Sequence, residues 1–262
     1  MELPYFEIAS KLWNPLIVAL LMPLSATLRT DNWTTACKWD TVIPFDLMWS
    51  ELKRIIKPNG AIVLFGSEPF SSALRMSNIK MYKYDIIWKK EKISNFLLSK
   101  KQIWKIHENI SIFYKKQPSY NPQLEFVWIK DKRKTFNECI NSKENFIWWS
   151  VKTRAKKDDG WRLPNSVVFF KRDRMNKWSL HPTQKPVALI EYLIKTYTLE
   201  WETVLDFTAW SWTLWCASQN TNRKFILIEK DEWYFNITCD RLIKNQERLD
   251  LLDFTSFSEI RK

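Results

Sequence analysis

The sequence predicts an α/β protein, a largely parallel sheet with helices on both faces and a basic region inserted into it. Three observations carry this. Strand-like and helix-like stretches alternate through both halves of the chain. A strand ending in Asp206, a short loop, a helix and a second strand ending at Glu229 form a βαβ unit, and the two acids stand close to the roughly 20 residues apart that such units show. Between the alternating parts, residues 117–177 lose their periodicity and fill with lysine, arginine and aromatics.

In chain order, Leu16 to Met22 is an apolar run too short to span a bilayer. Lys11 before it and Ser25-Ala26-Thr27 after it give a faint signal-peptide look, but a buried strand or helix fits better. Past Pro44, the apolar positions Phe45, Met48, Trp49, Leu52, Ile55 and Ile56 recur at helical spacing. Lys57-Pro58-Asn59-Gly60 breaks that helix, and Ala61 to Phe65 reads as a buried strand closing at Gly66. Tyr84–Trp88 and Ile110–Tyr114 are further strand candidates on either side of a basic stretch. After the insertion, Leu189, Ile190, Leu193, Ile194 and Tyr197 mark a helix face. Then come a strand at 203–206, a helix at 211–220, a strand at 224–228 and a final helix at about 231–249. The resulting division is an atypical N-terminal segment (1–32), a core (33–116 with 178–262) and the inserted region (117–177).

At 262 residues the chain suits one substantial domain with an inserted lobe. A formal charge of +12 favours a polyanionic partner, nucleic acid before membrane. Four well-separated cysteines without a Cys-x-x-Cys pair, and only two histidines, argue against a structural zinc site. They fit free thiols in a reducing cytoplasm. Composition holds one anomaly: glycine numbers 3 and tryptophan 16, where glycine alone would ordinarily make up about 7%. The deficit of one roughly matches the excess of the other.

The wording of several segments is more specific. His181-Pro-Thr-Gln-Lys-Pro186, a helix, and Leu205-Asp-Phe-Thr-Ala-x-Ser-x-Thr213 resemble motifs X and I of the β class of N6-adenine and N4-cytosine DNA methyltransferases. Arg223 to Tyr234, Lys57 to Ser67, His107-Glu108 to Tyr114, and Tyr120-Asn-Pro-Gln123 resemble further family segments, and the likeness spans roughly 33–245. It implies a Rossmann-like S-adenosylmethionine-dependent methyltransferase sheet with an inserted target-recognition region. It also implies S-adenosylmethionine as cofactor, double-stranded DNA as partner, a possible link to restriction–modification, and a cytoplasmic place in a bacterium or phage. By position, the resemblance puts Asp206 in the cofactor site and lines the methionine end with Phe207, Thr208, Ala209, Ser211 and Thr213. Glu229 would take the ribose, while His181, Thr183 and Lys185 would lie beside the cofactor. For His181 a capping role at the entry to the next helix is the alternative.

The chain departs from the family twice. Trp210, Trp212 and Trp215 stand in the cofactor loop and first helical turn where the family has glycine, and Trp201 and Trp33 fall at similar positions. Glycine there permits positive φ and close approach of main chain to ligand, which an indole would obstruct. The reading that accounts for one replacement recurring is that these positions are glycine in the natural protein, with UGA codons written as tryptophan. The second departure is the family's Asp/Asn/Ser-Pro-Pro-aromatic tetrapeptide, which binds the target amine and stacks on the flipped base. Here Leu28-Arg-Thr-Asp-Asn-Trp33 carries neither proline, consistent with a shifted frame or altered start before residue 33. Asp31 and Asn32 are the candidate catalytic residues, against an ordinary role in a turn. The expected function is methyl transfer to an exocyclic amine of DNA, adenine N6 in the first instance. An inactive DNA-binding relic, or a methyltransferase acting on RNA or protein, are the alternatives.

Overall fold

The computed structural model describes residues 16–21, 43–93, 99–126, 160–173, 184–208 and 213–229. Among these, seven strands form one sheet: β1 (Leu16–Leu21), β2 (Ile56–Gly66), β3 (Tyr82–Lys89), β4 (His107–Phe113), β7 (Val167–Phe169), β8 (Thr203–Asp206) and β9 (Lys224–Leu227). Their order across the sheet is β7-β3-β4-β2-β1-β8-β9. All neighbours run parallel except at β4, which lies antiparallel between β3 and β2. The sheet is therefore mixed, where alternation alone suggested a parallel one. Periodicity reports which residues are buried and carries no strand direction.

Helices α1 (Phe45–Ile55), α2 (Phe70–Ser77), α3 (Val187–Tyr197) and α4 (Thr213–Asn220) cover the sheet. Strand β2 shows how both faces are filled, since successive side chains point to opposite sides. Ala61, Val63 and Phe65 join Leu189, Ile190, Leu193 and Ile194 of α3 and Leu214 and Ala217 of α4 in one apolar cluster. Ile62 and Leu64 join Met48, Trp49 and Leu52 of α1 and Phe70 and Leu74 of α2 in the other. The continuous apolar run of β2 is what a strand buried on both faces requires. Gly66 ends it where a Cβ would stand 2.6 Å from the Ser71 hydroxyl.

Residues 16–21, placed above in an atypical N-terminal segment, form β1 near the middle of the sheet. They pair with β2 through Val18–Ala61 to Leu21–Leu64 and with β8 through Val18–Val204 to Leu20–Asp206. Their sequence carries no motif, so only the pairing reveals them as part of the sheet. The helix over 70–77 and strand β7 also lacked a clear sequence signal. The final helix expected at 231–249 lies outside the described residues.

The ends of α3 are closely satisfied. Pro186 enters the helix with φ −63° and offers no capping side chain, so Asp173 Oδ2 accepts from the Val187 amide at 3.1 Å. At the other end Asn121 Nδ2 donates to the carbonyls of Lys195 and Thr198, each at 3.2 Å. Arg223 adds a 2.9 Å bond to the Thr198 carbonyl. Asn121, from the Tyr120-Asn-Pro-Gln123 segment, thus ties down a helix end.

A second compact unit, Pro122–Asn165, falls inside the stretch read as inserted. Its described part is a two-stranded antiparallel ribbon, β5 (Glu125–Phe126) with β6 (Trp161–Arg162), closed by the Phe126 and Trp161 rings 5.4 Å apart.

Candidate active site at the carboxyl edge of the sheet

The strand order reverses between β1 and β8: one branch runs on to β2, the other to β9. In open α/β sheets a crevice forms outside the carboxyl ends of the strands at such a switch point. Asp206, the last residue of β8, stands there and is fully buried. Its Oδ1 accepts from the Thr208 amide at 3.0 Å and the Thr208 hydroxyl at 3.3 Å, an Asx-type turn that starts the following loop. Its backbone carbonyl accepts from the Ile228 amide at 2.9 Å, fixing the tip of β8 against β9. Among the described residues Oδ2 has no hydrogen-bond partner. Burial pushes this carboxyl up to about 7, Thr208 opposes the shift, and the nearby Glu229 charge adds to it. Glu229 itself is partly buried just beyond β9.

Phe207 is 1% exposed and packs into the cluster with Leu205 and Ile228. Thr213, the first residue of α4, is buried and donates its hydroxyl to the Lys185 carbonyl at 3.2 Å. The structure thereby brings the end of the His181–Pro186 motif to the end of the Asp206–Thr213 loop, two segments that the resemblance expected beside one cofactor.

The Lys185 side chain meets β4 through Glu108. The ammonium, fully buried, lies 2.9 Å from Glu108 Oε2 and 5.5 Å and 5.6 Å from the ring centres of Phe65 and Trp88. Lys90, also buried, pairs with the other oxygen of Glu108. Burial alone would raise the Glu108 carboxyl, but the Lys185 and Lys90 ammoniums bring it down to about 2. Burial lowers the Lys185 ammonium from its ordinary range, with Glu108 opposing. Because β4 is reversed, its first residues sit at the carboxyl edge, with His107 opposite Lys89 and Asn109 opposite Gly66. Glu108 and Lys90 were not among the expected site residues. The His107-Glu108 segment was a signal, but its link to Lys185 depends on β4 running backwards.

Two of the suspect tryptophans are described. Trp201 holds φ 66°, in the left-handed region, and is 69% exposed, while its amide donates to the Asn222 carbonyl at 2.7 Å. Trp215 is buried within α4, where an ordinary helical backbone asks nothing of glycine. His181, Thr183, Ala209, Ser211, the catalytic candidates Asp31 and Asn32, and Trp33, Trp210 and Trp212 lie outside the described residues.

A mixed seven-stranded sheet with one reversed strand and a buried acid at its switch point defines a Rossmann-like methyltransferase fold. The chain belongs to the DNA methylase family, which it matches over residues 27–240. It is similar to the DNA adenine methyltransferase YhdJ of Escherichia coli K12, 25% identical over 197 residues. That match covers 74% of this chain but 64% of the relative's length. It is also similar to the type II methyltransferase M2.LlaDCHI of Lactococcus lactis subsp. cremoris, 24% identical over 220 residues, covering 81% of this chain and 71% of that protein. Among solved structures, the M1.HpyAVI–SAM complex has a TM-score of 0.57 at 20% identity, covering 92% of this chain and 98% of the other. The cytosine-N4-specific PvuII DNA methyltransferase has a TM-score of 0.59 at 13% identity, covering 87% and 80%. Among the described residues, no helix is long and apolar enough to cross a membrane, and no three His, Cys, Asp or Glu side chains gather as metal ligands would.

Proposed function

We propose that this chain is a DNA methyltransferase that transfers a methyl group from S-adenosylmethionine to the N6 amine of an unstacked adenine. The observation that carries this reading is Asp206. A buried carboxyl at the switch point, with one oxygen committed to the loop and the other without a described partner, calls for a cationic or hydrogen-donating ligand. S-adenosylmethionine carries both a sulfonium and an ammonium, so the residues present suit it. When bound it supplies the electrophilic methyl group.

The chain's own groups have separate tasks in this reading. Asp206 provides counter-charge and shapes the loop through Thr208. Glu229, the acid after the second strand, accepts ribose hydroxyls. His181, Thr183, Ala209, Ser211 and Thr213 border the donor, and Asp31 or Asn32 accepts hydrogen bonds from the target amine. The formal charge of +12 suits a duplex partner, which the basic residues bind through phosphates. Adenine as the acceptor follows the E. coli relative, named as an adenine methyltransferase.

Glycine at 33, 201, 210, 212 and 215 in the natural protein belongs to the same reading. Its support is the tryptophan excess together with the left-handed backbone of Trp201. Calorimetric titration of S-adenosylmethionine into the full chain, made once with tryptophan and once with glycine at 201, 210, 212 and 215, tests it. Binding by the glycine form, weak or absent in the tryptophan form, is the expected result. No binding by either form would remove the enzyme reading in favour of a DNA-binding relic.

A further inference from the structure

We propose that Glu108 is a positioning residue for the cofactor cleft, holding Lys185 so that the end of the His181–Pro186 motif is fixed against the first turn of α4. The inference rests on the proposed function, since it gives that cleft its use.

A lysine ammonium taken out of water is expensive unless a carboxylate meets it, so the side chain has few acceptable places to be. Lys185 is 2% exposed, and its described ionic partner is Glu108. Glu108 is held in turn by Lys90, the residue immediately after β3. The faces of Phe65 and Trp88 close the space around the ammonium, so it cannot shift far without losing them. An apolar side chain here would fill the volume without fixing position so narrowly, because dispersion contacts have no preferred direction.

The second half of the device is main chain. The Lys185 carbonyl accepts the Thr213 hydroxyl, and Thr213 begins the helix that ends the Asp206–Thr213 loop. The next residue, Pro186, has a restricted φ and leads straight into α3. A displacement of the Lys185 side chain is therefore passed to its own peptide, and from there to the N-terminus of α4. Glu108 sits on the reversed strand at the carboxyl edge, so the clip joins the β3–β4 side of the sheet to the β8 side. Glu108 touches no donor or base in this account. It acts through Lys185.

The test uses the glycine-bearing full chain. The parent, Glu108→Gln, Thr213→Val and the apolar pair Glu108→Leu with Lys185→Met are compared by donor titration, chemical unfolding and amide hydrogen exchange. Glu108→Gln is expected to weaken donor binding by about tenfold to a hundredfold and to speed exchange in the first turn of α4. The apolar pair is made together with Lys90→Met, because Lys90 is buried against the same carboxylate and would otherwise lose it. With all three buried charges removed, the unfolding midpoint should approach the parent's while donor binding stays weak. Stability and binding then separate, which a purely structural ion pair would not produce. Exposed Arg54→Ala serves as the control and should match the parent. Parent-like binding and α4 exchange in Glu108→Gln, or recovery of binding with stability in the apolar pair, would overturn the positioning role. Absence of donor binding in the parent would instead remove the proposed function, while the exchange measurement still decides whether Glu108 fixes α4.

Discussion

At the scale of single residues, the two most informative side chains break local rules in opposite ways. Trp201 adopts a left-handed backbone that a bulky residue disfavours, yet it is mostly exposed and so gains little packing in return. Replacing it with glycine should stabilise the chain by about 1 kcal/mol, read from urea unfolding. Mass spectrometry of peptides from the protein made in its own host should show glycine masses at 201, 210, 212 and 215. Asp206 breaks the rule that buried carboxyls are paired. Its folded pKa of about 7 lies above the ordinary 3.8, so between those values the folded state keeps a proton that the unfolded chain gives up. Stability from this group is therefore present at low pH and falls as pH rises through that window, by up to roughly 4 kcal/mol. Asp206→Asn should flatten that slope in unfolding curves taken at pH 5 and pH 7.5. A cationic donor favours the charged form, so its binding to the parent should tighten as pH rises through 7. Asp206 was legible from the sequence because an acid at a strand tip has a spacing. The strain at Trp201 was legible as a compositional oddity and, through the resemblance, as a tryptophan at a glycine position where positive φ is permitted.

At the scale of elements, the chain depends on a few polar contacts at strand and helix ends. Asn121 satisfies two carbonyls at the C-terminus of α3, so Asn121→Ala should cost about 1–2 kcal/mol in stability. That residue looked like part of a family motif, and its visible role is structural. Helices α1 and α3 were readable because their apolar residues repeat at helix spacing, and strand β2 because its apolar run is bounded by Lys57-Pro58-Asn59-Gly60 and Gly66. Strand β1 was not, since six apolar residues fit a strand or a helix equally and only pairing with β2 and β8 decides. The Glu108–Lys185 pair was hidden for a related reason. Two residues far apart in sequence meet only because β4 is reversed, and no local pattern encodes direction.

At the scale of the whole molecule, the sheet with two covered faces and an acid at a strand tip was predicted by periodicity and one βαβ spacing, while the switch point follows from the strand order. The mixed strand order was not. The family assignment came from wording that periodicity does not contain, the motif His181–Pro186 above all. A chain of this charge acting on duplex DNA should bind it with a steep salt dependence, measurable as a falling association constant between low and physiological salt. The measurement that bears most directly on the account is transfer of labelled methyl from S-adenosylmethionine to duplex DNA by the glycine-bearing chain, followed by digestion to nucleosides. The label should appear in N6-methyladenine and should vanish when Asp206 is replaced. DNA bound and retarded, with no label in any nucleoside, would contradict the proposed function.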